Sequence, residues 1–291
     1  MPSLPLLLSQ AFNGLALGSL LALVSSGLTI ILGTLGVLNF AHGALFMLGA
    51  YTVYVVLQGT SSFLLALLAG SLFMLLVGVV IERVLVRLFY HRPPEDQILV
   101  TFGAGIVLVE AVRAVFGGDS QRVAVPSWGE GVTQLGFLIY PTYRLELIGI
   151  IALTLGLLWL VLYRTSIGLV VRAGIEDAGM VGILGINVRR TFLLVFALGV
   201  VAAGLAGMLY APMVSVDPDL GGSFLVESFV VIVIGGLGSF PGAVVGGLIA
   251  GEIISITSAF NSAYSEVMLY AVMALLLVVR PQGLFGTEGR V

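Results

Sequence analysis

Few residue types capable of chemistry occur in this chain, and their spacing excludes most enzymatic roles. All 12 basic residues are Arg. Without Lys there is no Walker A lysine to reach a nucleotide's terminal phosphates, and no lysine Schiff base. There is no Cys, hence no disulfide, thiolate zinc site or cysteine nucleophile. The two His, His42 and His91, are far apart, which excludes HExxH and similar His-pair metal sites. No cofactor is implied. What remains are polar groups isolated inside long apolar runs: Asn13, Asn39, His42, Glu227 and Glu252. A buried His beside a Gly can bond a backbone carbonyl or stand near a path. Asn13 is better suited to binding a neighbouring helix than to binding a ligand. A buried Glu can pair with an Arg, hold a proton or meet a substrate ammonium, and structural pairing is the favoured reading. Glu110 and Arg113, three residues apart, can pair on one helix face.

One polar stretch is of a different kind. Residues 172–190 read RAGIEDAGMVGILGINVRR. Glu176 and Asp177 suit a helix N-terminus, where acidic groups favour the dipole. Met180, Ile183 and Leu184 follow at helical spacing, Gly185 can end the helix, and Arg189 and Arg190 mark a return to apolar sequence. The pattern describes a short amphipathic helix, able to dock in a partner's groove or to lie on a membrane surface.

The elements that position these groups are set by composition. Of the 291 residues 59% are hydrophobic and 9% charged, and residues 1–81 contain no Asp, Glu, Arg or Lys. Ordinary soluble proteins carry about 25% charged residues, so a soluble fold is excluded and an all-α, polytopic transmembrane protein is expected. Hydrophobic runs lie near 6–32, 35–57, 63–86, 97–116, 145–163, 191–211, 224–258 and 265–280. That makes about eight segments in a single membrane domain spanning residues 1–291. The first two should be joined by a tight turn near Gly33–Gly36. Gly235, Gly236, Gly238, Pro241 and Gly242 interrupt the 224–258 run, which reads as two short helices or as a broken helix with a re-entrant region. Gly14 and Gly18, and Gly242 and Gly246, have the small-xxx-small spacing of close helix packing. Residues 34–50 and 237–250 look faintly alike and suggest an internal repeat. Arg83, Arg87 and Arg92, then Arg164, Arg172, Arg189 and Arg190, then Arg280 and Arg290 fall on one side if the N-terminus is outside and the C-terminus cytoplasmic.

Residues 172–190 resemble the cytoplasmic coupling motif of permease subunits in ABC importers for branched-chain amino acids. Three further stretches carry the resemblance: Leu38–Tyr51 (LNFAHGALFMLGAY), Thr101–Gly117, and the Gly-rich Gly235–Ala243. The C-terminal RPQGLFG, residues 280–286, also fits, so the likeness runs from about residue 10 to 286. It is closer to the shorter of the family's two paralogous permeases. Gly179 and Gly182 depart from the larger or Ala-like residues expected in the coupling helix.

The resemblance implies a membrane path without its own ATPase site, in a bacterial inner membrane. It implies as partners a paralogous permease, two cytoplasmic ATP-binding subunits and a periplasmic substrate-binding protein, and no nucleic acid. On that reading Arg172, Glu176, Asp177, Met180, Leu184 and Gly185, within the cytoplasmic loop 164–190, engage the ATPase. Asn13, Asn39, His42, Glu227 and Glu252 are the candidates for the path. A urea or short-amide permease of the same superfamily is the alternative. A stand-alone channel or secondary transporter is less favoured, because no chain of intramembrane carboxylates is visible.

Overall fold

A computed structural model describes residues 3–90, 92–136, 138–166, 168–173, 181 and 187–286. Nine α-helices dominate these residues: α1 (Leu4–Leu35), α2 (His42–Gly59), α3 (Phe63–Val84), α4 (Pro94–Phe116), α5 (Thr142–Arg164), α6 (Val188–Tyr210), α7 (Gly221–Gly235), α8 (Phe240–Phe260) and α9 (Ser265–Val279). Seven are long and apolar enough, with adjoining turns, to cross a bilayer, and α7 is shorter. Four short strands occur between helices. β2 (Val132–Leu135) and β3 (Leu138–Pro141) form a hairpin, and β1 (Gln121–Arg122) pairs antiparallel with β4 (Ser215–Val216).

Side-chain contacts define two ends of the bundle. At the hairpin end, Tyr140 donates to Asn13, Tyr54 to Gln121, and Ser255 to the carbonyl of Gln10. At the opposite end, Leu284 and Phe285 of the C-terminal tail donate backbone hydrogen bonds, both 2.9 Å, to the carbonyls of Ile234 and Gly235. This is the tail end. The N-terminus of α1 therefore lies at the hairpin end and the tail at the other.

The helices α1 and α6 are the buried centre, while α3, α4, α5 and α9 form the rim with apolar side chains turned outward. That inversion is expected where the solvent is hydrocarbon. Small residues permit the central contacts. A Cβ on Gly247 would strike the backbone of Ala22, and one on Gly18 that of Leu248, so α1 and α8 lie backbone to backbone. Gly14 is covered instead by the Glu252 side chain.

One connection differs from the sequence expectation. Gly33 is inside α1, which continues to Leu35 and ends at Gly36 in the left-handed conformation (φ 65°). The link to α2 is the irregular stretch 36–41, and it returns into the bundle instead of turning at its edge. His42 Nε2 lies 3.0 Å from the carbonyl of Val24, about 16 Å of helix before the end of α1. The stretch turns at Gly36 and again at Asn39–His42, where His42 N–H donates to the Asn39 carbonyl at 3.2 Å. Apolar composition could not place this start, because buried coil and helix are equally hydrophobic here.

The 224–258 run resolves into two helices. Gly235 ends α7, Gly236 (φ 104°) and Gly238 (φ 77°) form the break, and Ser239 caps α8 by accepting from Gly242 N–H at 3.2 Å, with Pro241 in its first turn. The tail covers this break.

The helices also fall into two halves of opposite direction. Helix α1 packs along α8 as α6 packs along α3, and α2 packs on α6 as α7 packs on α1. Four helices on each side of α5 thus form an inverted repeat, an arrangement common in transporters. It relates α2 to α7, not residues 34–50 to 237–250 as the sequence likeness suggested. Those segments share small residues because both meet neighbouring backbones.

Candidate functional site

Helices α2 and α7 begin inside the bundle and run apart, α2 towards the hairpin end and α7 towards the tail. Their first turns cross at Gly43 and Gly221. A Cβ on either residue would strike the other's carbonyl oxygen. Phe46 stacks on Phe224, with ring centroids 4.2 Å apart, and Phe40 lies 4.9 Å from Phe229. Two helix N-termini, each carrying partial positive charge, therefore converge in the interior.

Buried polar groups hold this crossing. Asn39 is fully buried, and its Oδ1 accepts from Ala41 N–H at 3.1 Å, shaping the turn into α2. Its Nδ2 has no partner among the described residues. His42 is fully buried and bonded to Val24, and its Nδ1 is likewise without a partner among them. Thr101 on α4 clips the returning stretch: its hydroxyl accepts from Phe40 N–H at 3.1 Å and lies 2.8 Å from the Gln97 carbonyl, its acceptor. Ser25 donates to the carbonyl of Ser228 at 3.4 Å.

A cavity of about 300 Å³ opens beside the crossing, between α2, α4 and α7. Phe40, Phe102 and Leu225 supply apolar wall, and Glu110 and Asp219 supply carboxylates. Arg113 joins the two acids. It donates to Asp219 through Nη2 at 2.8 and 3.0 Å and to Glu110 through Nη1. The local Glu110–Arg113 pair expected from spacing is present, and Asp219 makes it a bridge to the residues before α7.

The other candidates are dispersed. Asn13 lies near the hairpin end, where Tyr140 donates to it at 3.0 Å and Arg144 also donates, so it ties α1 to the hairpin and α5. Glu252 lines an apolar groove of about 680 Å³ with Leu248 of α8 and Met268 of α9. Glu227 has another acid, Glu266, as its charged neighbour. Among the described residues neither Glu227 nor Glu252 forms an ion pair, contrary to the expected pairing with Arg. The ion pairs among the described residues are both made by Arg113, to Glu110 and Asp219.

Arg172 donates to the carbonyl of Leu162, and its guanidinium lies 5.2 Å from the Tyr163 ring centre. It folds back on the last turns of α5. Glu176, Asp177, Met180, Leu184 and Gly185 lie outside the described residues, as does His91. At the same end Tyr90 donates to the buried Glu82 at 2.9 Å, and burial, reinforced by that carboxylate, pushes the phenol's pKa up.

Sequence reasoning missed Gly43 and Gly221 as a contact, Asp219 as a partner of Arg113, and the Ser25–Ser228 bond. The run Asp217–Gly222 (DPDLGG) carries turn residues that signal a helix start before 224.

The chain matches the family described as "Branched-chain amino acid transport system / permease component" over residues 10–277. It is 33% identical over 295 residues to the high-affinity branched-chain amino acid transport system permease protein LivH of Salmonella typhimurium, covering 96% of this chain and 95% of the relative. It is 31% identical over 313 residues to the permease protein BraD of Pseudomonas aeruginosa, covering 98% of each. It is 26% identical over 280 residues to LivM of Escherichia coli, covering 89% of this chain and 66% of that protein. No solved structure matches.

Proposed function

The chain belongs to the family of permease components of branched-chain amino acid transport systems, and from that membership we propose how it works in its complex. It is a multi-pass membrane permease of a branched-chain amino acid ABC transport system, without an ATPase of its own. In the proposal residues 1–291 act as a single membrane domain that imports branched-chain and other hydrophobic amino acids across the bacterial inner membrane. The energy comes from two cytoplasmic ATP-binding subunits. A paralogous permease completes the path, and a periplasmic binding protein delivers the substrate.

The nearly full-length match to the LivH and BraD proteins carries this reading. Charge supports the orientation. The described arginines at the tail end are Arg83, Arg87, Arg92, Arg164, Arg172, Arg189, Arg190 and Arg280. Among the described arginines, only Arg113, Arg122 and Arg144 stand at the hairpin end. In the proposal the tail end is therefore cytoplasmic and the N-terminus outside, the orientation that a positive-inside bias favours. Loop 164–190 then faces the ATPase subunits, with Arg172 bonded to the carbonyl of Leu162 on α5, and Glu176, Asp177, Met180 and Leu184 are the residues proposed to engage them.

The test is uptake of labelled leucine into proteoliposomes holding the full complex and its binding protein, with labelled urea as control. Uptake should require ATP and favour leucine. The double substitution Glu176→Ala, Asp177→Ala should reduce both substrate-stimulated ATP hydrolysis and uptake. Leucine uptake without ATP, or by this chain alone, contradicts the proposal; an unaffected double variant removes the coupling role.

A further inference from the structure

We infer that the cavity between α2, α4 and α7 is a transit site for the amino acid. Its aliphatic side chain would lie against Phe40, Phe102 and Leu225, its ammonium at the Glu110 and Asp219 carboxylates that Arg113 bridges, and its carboxylate at the N-terminus of α7 beside Gly221 and Gly222. The inference rests on the permease reading and adds a place to it. A branched-chain zwitterion needs three things at once: an apolar wall, an anion for its ammonium and a cation or N–H dipoles for its carboxylate. The groove at Glu252 offers a carboxylate without a cation, and the cavity between α2 and α3 has no charged residue in its walls. Among these three, only the cavity beside the helix crossing has two acids, the first residues of a helix, Gly221 and Gly222, and apolar walls; Arg113, which bridges the acids, stands behind them and outside the walls.

Its size and charge suit passage. About 300 Å³ is at the small end of ligand pockets, the scale of one amino acid and not of a peptide. Arg113 already binds both acids, and its side chain is 37% exposed. The substrate's charges must compete with that bridge and with water. The result is weak binding, which a transported molecule needs in order to leave.

Gly222 lines the cavity and has open space where a Cβ would stand. Gly222→Ala, Gly222→Val and Gly222→Leu therefore fill the cavity stepwise. In proteoliposomes with the complete complex, leucine uptake should fall in that order, by about tenfold or more for Gly222→Leu, while alanine uptake falls less. Assembly of each variant is checked by size-exclusion chromatography. Independently, photo-leucine irradiated with the wild-type complex should label α4 near Phe102–Glu110 and α7 near Gly221–Leu225. Unchanged leucine uptake by assembled Gly222→Leu complex, or label confined to residues away from α2, α4 and α7, overturns the inference. If the wild-type complex fails to take up leucine with ATP present, the permease reading fails, and the label distribution still decides the cavity.

Discussion

Gly43 and Gly221 bring the first turns of α2 and α7 into direct backbone contact, each with the other's carbonyl oxygen where a Cβ would stand. No side chain can yield there, so substitution must separate the helices. Gly43→Val or Gly221→Val should destabilise the protein by about 3 kcal/mol or more. Thermal unfolding in detergent would show it. Gly103→Ala, on α4 with open space around it, should instead be neutral or stabilising by about 0.5–1 kcal/mol.

The position of α2 also depends on His42. Its ring is buried, bonded to Val24, and accommodated by Gly27, where a Cβ would lie 3.3 Å from the imidazole Cε1. His42→Ala removes the bond and leaves a hole, at a cost of about 2–4 kcal/mol. His42→Gln should recover part of this in the same melting assay. Equal melting temperatures for His42→Ala and wild type would show that the bond does not hold α2.

Thr101 is the clip on the stretch before α2. Thr101→Val keeps the shape but leaves the Phe40 N–H without its acceptor. The expected loss is about 1–3 kcal/mol, with Thr101→Ser close to wild type. Hydrogen exchange at residues 38–41 should accelerate in the Val variant alone.

At the tail, Gly283 has φ 77° and lies against the backbone of Gly236. Gly283→Val combines a left-handed backbone with a steric clash, so the tail should detach from α7. Protease cleavage between residues 281 and 286 should become faster, while Gln282→Ala, which keeps Gly283 in place, should remain protected.

The absence of Cys makes topology directly measurable with single introduced thiols. Ser127→Cys and Ser262→Cys, both exposed at the hairpin end, should react with a membrane-impermeant maleimide in intact cells. Ser166→Cys, exposed beyond α5, should react only after permeabilisation. The reverse pattern would invert the proposed orientation.

The local pairing of Glu110 with Arg113 was legible because both occupy one helix face three residues apart. The break at Gly235–Gly242 was legible because Gly and Pro interrupt an apolar run. The re-entry at 36–41 was not, because its backbone is satisfied by groups remote in sequence: Thr101 for Phe40, and Val24 for the imidazole of the helix it begins. The expected partners of Glu227 and Glu252 failed for a related reason, since composition does not say how deep an Arg lies relative to a Glu.

Composition and the run of uncharged residues from 1 to 81 were enough to determine a polytopic helical membrane protein, and its motifs were enough to determine the family. Hydrocarbon excludes charge and enforces helices wherever the backbone meets lipid. Only the tertiary structure decided that α2 and α7 start inside the bundle and meet at Gly43 and Gly221, with a charged-rim cavity beside them. Contacts between residues as far apart in sequence as Gln10 and Ser255 have no local sequence signal, because a glycine admitting a neighbouring helix reads the same as any other glycine.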